Sequence, residues 1–101
     1  MFELILWPEA EQDIAEAQQW YQGRREGLGD DFEACLDEAF EKLIQYPTVF
    51  GFVYSGLRRF QVRRFPYGIY FDVIDETVVV VAVFHGRQDL GRIGTRLRNH
   101  N

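Results

Sequence analysis

Between Ala10 and Tyr46 apolar side chains recur every third or fourth residue; after Leu57 they alternate and then run together. The first pattern is helical and the second belongs to strands. Ala10, Ile14, Ala17 and Tyr21 mark one helical face, with Glu9, Asp13, Glu16 and Gln19 on a solvated side. Pro8 suits the first turn, early carboxylates favour the helix N-terminus, and the helix should stop near Gly23. Phe32, Cys35, Leu36, Ala39, Phe40, Leu43 and Tyr46 form a wider stripe, capped by Asp30 or Asp31 and ended by Pro47. The short break between the two predicts an antiparallel helical hairpin. Upstream, Leu4-Ile5-Leu6-Trp7 reads as a short strand, with residues 2–7 joining one edge of a sheet.

Residues 48–56 read as a loop, although Val49, Phe50, Phe52, Val53 and Tyr54 must pack onto something. Leu57 to Phe65, Gly68 to Ile74 and Thr77 to Phe84 then make a three-strand meander that turns at Asp75-Glu76. Val78 to Val83 is apolar on both faces and should be the central, doubly covered strand. Residues 90–101 are basic and glycine-broken, a weak helical turn expected to gain order on a partner. The predicted fold class is α+β: an antiparallel sheet, built of the meander plus an N-terminal strand, packed on an N-terminal helical hairpin. It forms one domain over residues 1–101, with 90–101 as a flexible tail.

Composition narrows the setting. With 47% hydrophobic and 16% aromatic residues, a chain of 101 residues is too apolar for disorder and long enough for one core. Its longest apolar runs fall far short of the roughly 20 residues a bilayer requires. Met1-Phe2-Glu3 does not resemble a signal peptide, and a soluble, cytoplasmic protein is expected. One cysteine permits no internal disulfide, and Cys35 falls on the apolar side of a helix. Two histidines without ligand spacing predict no metal site, and no cofactor is expected. The charge is uneven: residues 1–50 carry 12 acidic against 3 basic residues, and residues 51–101 carry 4 against 8. The overall charge of −5 opposes tight, general binding to nucleic acid, where neutralisation of phosphates dominates.

The candidate chemistry lies at one end of the meander. Arg63 and Arg64 precede one strand, and His85 and Arg87 follow the next. Antiparallel pairing brings Arg64 and His85 to the same end of the sheet. Two cations and an imidazole there suit an anionic partner, although such residues also serve simply to finish strands. Alternation puts Arg59 and Arg63 on one side and Arg64 on the other. Arg64, His85 and Arg87 form the expected functional group, with Arg59 a surface residue nearby.

Trp7-Pro8-Glu9-Ala10-Glu11-Gln12-Asp13-Ile14 resembles the opening of the RelE/ParE toxin superfamily, where a strand ends at a Pro-led helix. Trp20-Tyr21, Gly27-Leu28-Gly29-Asp30-Asp31-Phe32 and Tyr46-Pro47 resemble helix landmarks of its ParE-like branch. Arg63 to Phe71 and His85-Gly86-Arg87-Gln88-Asp89 resemble that branch's hairpin, so the similarity spans roughly residues 4–89. The resemblance implies the toxin of a type II toxin–antitoxin, or plasmid stabilisation, system. A small cognate antitoxin would lie over the helical hairpin and along the sheet, its acidic residues meeting Arg87, Arg92 and Arg96. The free chain would be a candidate homodimer using the same surface. ParE-like members poison DNA gyrase and RelE-like members cut mRNA on the ribosome. Arg64 and His85 match two catalytic positions of the nucleases, but Gly86 stands where an aromatic group is wanted. The sequence pI of about 4.9 and a single lysine, Lys42, also run against ribosomal RNA. The expected activity is therefore inhibition of gyrase by binding, through Arg59, Arg87, Arg92, Arg96 and Arg98. An mRNA interferase using Arg64 and His85, or a non-toxic interaction module, are the alternatives.

Overall fold

The computed structural model describes residues 1–86 and 90–100. Strand β1 (Glu3–Leu6) leads into helix α1 (Pro8–Arg24), with Pro8 in the first turn and Glu9 and Glu11 beside the positive end of the helix dipole. Three residues later α2 (Leu28–Gln45) returns against α1, completing the expected hairpin. Its cap is Gly27 rather than Asp30 or Asp31. The backbone there is left-handed, with φ of 87°, a conformation open to glycine at little cost. Asp30 and Asp31 instead sit in the first turn, where their charge still favours the helix.

A 3-10 turn at Pro47–Val49 precedes β2 (Phe52–Tyr54), a strand where a loop was expected. Then come β3 (Leu57–Gln61), β4 (Tyr67–Ile74), β5 (Thr77–His85) and α3 (Leu90–Asn99). The sheet order is β1-β5-β4-β3-β2, antiparallel except for β1, which runs parallel to β5. The meander and the edge position of β1 follow the prediction, whereas β2 adds a fifth strand. Strand β3 ends four residues early, at Gln61, and a bend occupies Arg63–Pro66. The basic C-terminal segment is a ten-residue helix with Ile93 buried, rather than a weak turn.

The sheet is covered on both faces. Phe32, Leu36, Leu43, Ile69, Phe71, Val78, Val80 and Val83 form the core beneath α1 and α2. Leu57, Tyr70, Val79, Val81, Ala82, Phe84 and Ile93 form the second core beneath α3. Strand β5 is thus buried on both sides, and burying Ile93 alone favours the docked helix by about 1.5–3 kcal/mol. A bulge breaks the β4–β5 ladder: Tyr70 pairs with Ala82 and Phe71 with Val80, so Val81 is skipped. Val81 and Ala82 consequently share the outer core while Val80 and Val83 face inward.

Candidate functional site

At the hairpin end Tyr67 pairs with His85, and the Gly86 N–H donates to the Pro66 carbonyl at 2.7 Å. Because β3 has already ended, strand alternation does not govern Arg63 and Arg64. Arg64 takes a left-handed backbone, φ 73°, and its guanidinium reaches Asp31 of α2 at 3.8 Å. Arg63 pairs with Glu38, also on α2, at 3.2 Å. His85 is exposed and stands edge-on to the Tyr67 ring, 5.3 Å between centroids, where it lines a cleft against α1. Arg64 and His85 therefore share an end of the sheet but serve different surroundings.

Arg59 is half-buried, not a plain surface residue. From β3 its guanidinium lies across Gly68 of β4, where any side chain would collide with it. It donates to the Tyr70 hydroxyl at 3.1 Å, to the Gly86 carbonyl at 3.0 Å and to Gln61 Oε1 at 3.0 Å. These contacts tie β3 to Tyr70 of β4 and to Gly86, just past the end of β5. Arg87 lies outside the described residues.

On α3, Arg92 is exposed and its guanidinium stands 4.1 Å from the centre of the Phe84 ring. Arg98 is exposed and donates to Thr95 Oγ1 at 3.2 Å. Arg96 is different. It makes a two-pronged ion pair with Asp13 of α1, at 2.7 and 3.0 Å, and both side chains are largely buried. Asp13 was expected on a solvated face. Its position follows from the sheet edge. β1 leaves β5 after the Trp7 N–H meets the Val80 carbonyl, so the next β5 groups on that side need other partners. The Val81 carbonyl accepts from Arg96, and the Val83 N–H donates to Asp13, each at 3.0 Å. The ion pair thus finishes the open edge of β5 and binds α1 to α3 around it.

Sequence reasoning also missed the end of α3. The His100 ring stacks on Trp7 at 3.4 Å with planes 6° apart, and its Nδ1 lies 3.1 Å from Glu9 Oε2. That hydrogen bond, with a backbone bond and the nearby positive charge, holds the Glu9 carboxyl below its ordinary value of 4.5. The signal for Arg96 was present in the sequence: Ile93, Arg96 and Leu97 have the spacing of one buried helical stripe.

No group of three or more His, Cys, Asp or Glu side chains gathers among the described residues as a metal would need. Burial holds the hydroxyls of Tyr21 and Tyr67 protonated, raised above their ordinary value. Tyr67 adds to the effect on Tyr21, and the charge of Asp13 adds to that on Tyr67. No described helix is long and apolar enough to cross a membrane.

The same architecture occurs in solved structures. A chain of the chromosomal ParDE toxin–antitoxin system from P. aeruginosa superposes with a TM-score of 0.65 at 14% identity, covering 86% of this chain and 98% of that one. In the intact E. coli RelBE toxin–antitoxin complex the match has a TM-score of 0.64 at 16% identity, over 87% and 100% of the two chains. The isolated E. coli RelE toxin gives 0.64 at 16% identity, over 97% and 98%. At these identities the likeness concerns the fold. No curated protein sequence matches the chain. Family membership comes from the sequence model of the ParE toxin of type II toxin–antitoxin systems, parDE, which matches residues 4–90. The chain belongs to the ParE toxin family.

Proposed function

We propose that this protein is neutralised by a small cognate antitoxin and, when released from it, inhibits DNA gyrase by binding in the cytoplasm. The observation carrying this reading is the separation of the would-be catalytic groups. Cleavage of RNA needs a base, an acid and a cation converging on one phosphate. Here Arg64 is drawn to α2, Arg59 is spent on Tyr70 and Gly86, and His85 faces the cleft. Binding asks less of the geometry. Arg92 and Arg98 lie exposed on α3, and Arg96 and His100 hold that helix to α1. In this reading Arg87, Arg92 and Arg98 meet the target, while Arg59 and Arg96 position the surface that does so.

Purified gyrase tests the proposal. Supercoiling should fall as the toxin approaches stoichiometry and recover when the antitoxin is added. Undiminished supercoiling at excess toxin overturns it. The nuclease reading is favoured by one observation, the exposed imidazole of His85 against Tyr67. Cleavage of mRNA on ribosomes, lost in His85→Ala, would establish it instead.

A further inference from the structure

Strand β2 closes the sheet on the side opposite β1, so one of its edges faces no other strand of the described chain. Edges of this kind are commonly guarded by charge, since an exposed apolar strand invites contact with another chain. Here that guard is missing. From Leu43 to Leu57 the chain carries no Asp, Glu, Lys, Arg or His, the longest such run in a sequence with 27% charged residues. Within it Tyr46, Val49 and Phe52 expose 64%, 70% and 66% of their surface, and Val53 exposes 42%. The register accounts for Val53. Phe52 pairs with Arg58 and Tyr54 with Leu57, so Val53 is the extra residue of a bulge, opposite no residue of β3. The tight turn at Ser55-Gly56, with both φ angles positive, holds that register. Two neighbouring groups are already engaged. Arg58 donates to the Phe50 carbonyl at 2.6 Å and stands 4.0 Å from the centre of the Phe52 ring, while the Tyr54 hydroxyl lies against Gly94 of α3.

We infer that this margin is a contact between two copies of the chain, which meet about a two-fold axis close to Val53. The charge pattern selects that occupant. In a two-fold contact each residue lies opposite itself or its near neighbours, so a single-sign charge within the patch would oppose its own kind. A run free of charge avoids that repulsion in a chain whose net charge is −5. An acidic or basic partner, by contrast, finds no opposite charge in this run to select it. Phe52 and Val49 of one copy then cover those of the other, and the bulge at Val53 confines the contact to side chains. The patch is on the order of a few hundred Å² per copy. Total burial therefore stays below the roughly 1,200 Å² of a standard interface, and the dimer should form reversibly, at micromolar concentration and above. It differs from the dimer expected from the sequence, which would use the surface over the helical hairpin. It is also independent of the target proposed for the arginines of α3.

Sedimentation velocity over a concentration series tests this. The weight-average mass of the parent should rise from 11.9 kDa toward twice that value. Val53→Glu and Val53→Lys, made at an exposed position, should keep parent-like circular dichroism and each weaken association at least tenfold. Mixed together, the two variants should associate at least as tightly as the parent, because opposite charges then face each other across the axis. A parent that stays monomeric at millimolar concentration overturns the inference whatever the variants do. Variants that dimerise as the parent does also overturn it, since the contact would lie elsewhere, and so does a mixture that stays monomeric. If the parent is monomeric and Val53→Glu instead lowers affinity for the antitoxin, the patch belongs to the antitoxin and the dimer is wrong. Inhibition of gyrase should be the same for Val53→Glu as for the parent, so failure of either reading leaves the other standing.

Discussion

Asp13 and Arg96 lie 83 positions apart in the chain and 2.7 Å apart in the fold, and together they stand in for a missing strand at the edge of β5. The relationship is more than an ion pair, because each partner also satisfies a backbone group of the bulged strand. Removing either leaves a largely buried charge and an unmet peptide group. Asp13→Ala or Arg96→Ala should each cost about 3 kcal/mol of stability, near the lower end of the range for a broken buried pair, since Arg96 retains some exposure. The double variant should cost clearly less than the two combined. Denaturant unfolding of the four proteins measures this, and strictly additive losses would show that the pair is not a unit.

Gly68 gives a second prediction. The guanidinium of Arg59 passes where a β-carbon would be, so Gly68→Ala must push it off Tyr70 and the Gly86 carbonyl. A loss of about 1–3 kcal/mol is expected from two hydrogen bonds made by a charged group. Arg59→Ala should cost about as much, and the two losses should not add in the double variant, because both substitutions remove the same hydrogen bonds. Additive losses would place the cost of Gly68→Ala in the backbone of β4 instead.

Arg64 separates folding from function. Its left-handed backbone is costly for any residue but glycine, and its ion pair with Asp31 is exposed and 3.8 Å long. Arg64→Gly should therefore be neutral or stabilising by up to about 1 kcal/mol. A stable variant that has lost its effect on cells would assign Arg64 to the target. Thermal unfolding set beside growth assays reads both.

The contact between His100 and Glu9 makes the docking of α3 sensitive to acid. The Glu9 carboxyl is held below its ordinary value of 4.5, so its contribution is complete above that pH and disappears as pH falls through the lowered folded value. Trp7 reports the change directly, because His100 stacks on it. Its fluorescence should shift below about pH 4.5 in the parent and not in His100→Ala. Identical acid profiles for the two proteins would rule out this contact as the cause.

The two helices and the meander were legible because their apolar stripes are long and regular, from Ala10 to Tyr46 and from Thr77 to Phe84. What escaped the sequence has specific physical causes. Phe52 to Tyr54 is too short for alternation to show, so an edge strand read as loop. Two glycines in Leu90–Asn99 obscured the Ile93, Arg96, Leu97 stripe, although that stripe is what seats α3. Asp13 was assigned to water because helical periodicity places a charge on the solvated side, and nothing local in sequence announces that a strand edge will lie there. The bulge that skips Val81 cannot be read from a run of four consecutive valines. At the hairpin end, proximity of Arg64 and His85 was legible from pairing, but their directions were not, since β3 stops at Gln61.

The last prediction concerns activity, and the fold changes how it must be tested. Deleting residues 90–101 would seem the direct route to a role for the basic segment, but it would also uncover Tyr70, Val81 and Phe84 beneath Ile93 and remove the partner of Asp13. Loss of toxicity in such a variant would report unfolding as readily as lost binding. Charge reversal at two exposed positions avoids this: Arg92→Glu/Arg98→Glu leaves Ile93, Arg96 and His100 in place. For a gyrase inhibitor, this variant should keep a parent-like circular dichroism spectrum, require at least tenfold more protein to suppress supercoiling, and no longer arrest growth. His85→Ala should arrest growth as the parent does. The reverse outcome, arrest lost with His85→Ala and kept with the double reversal, would move the activity to the cleft and to cleavage of RNA. If the parent itself leaves growth unaffected in the absence of any antitoxin, the protein is a binding module that has kept the toxin fold without the poison.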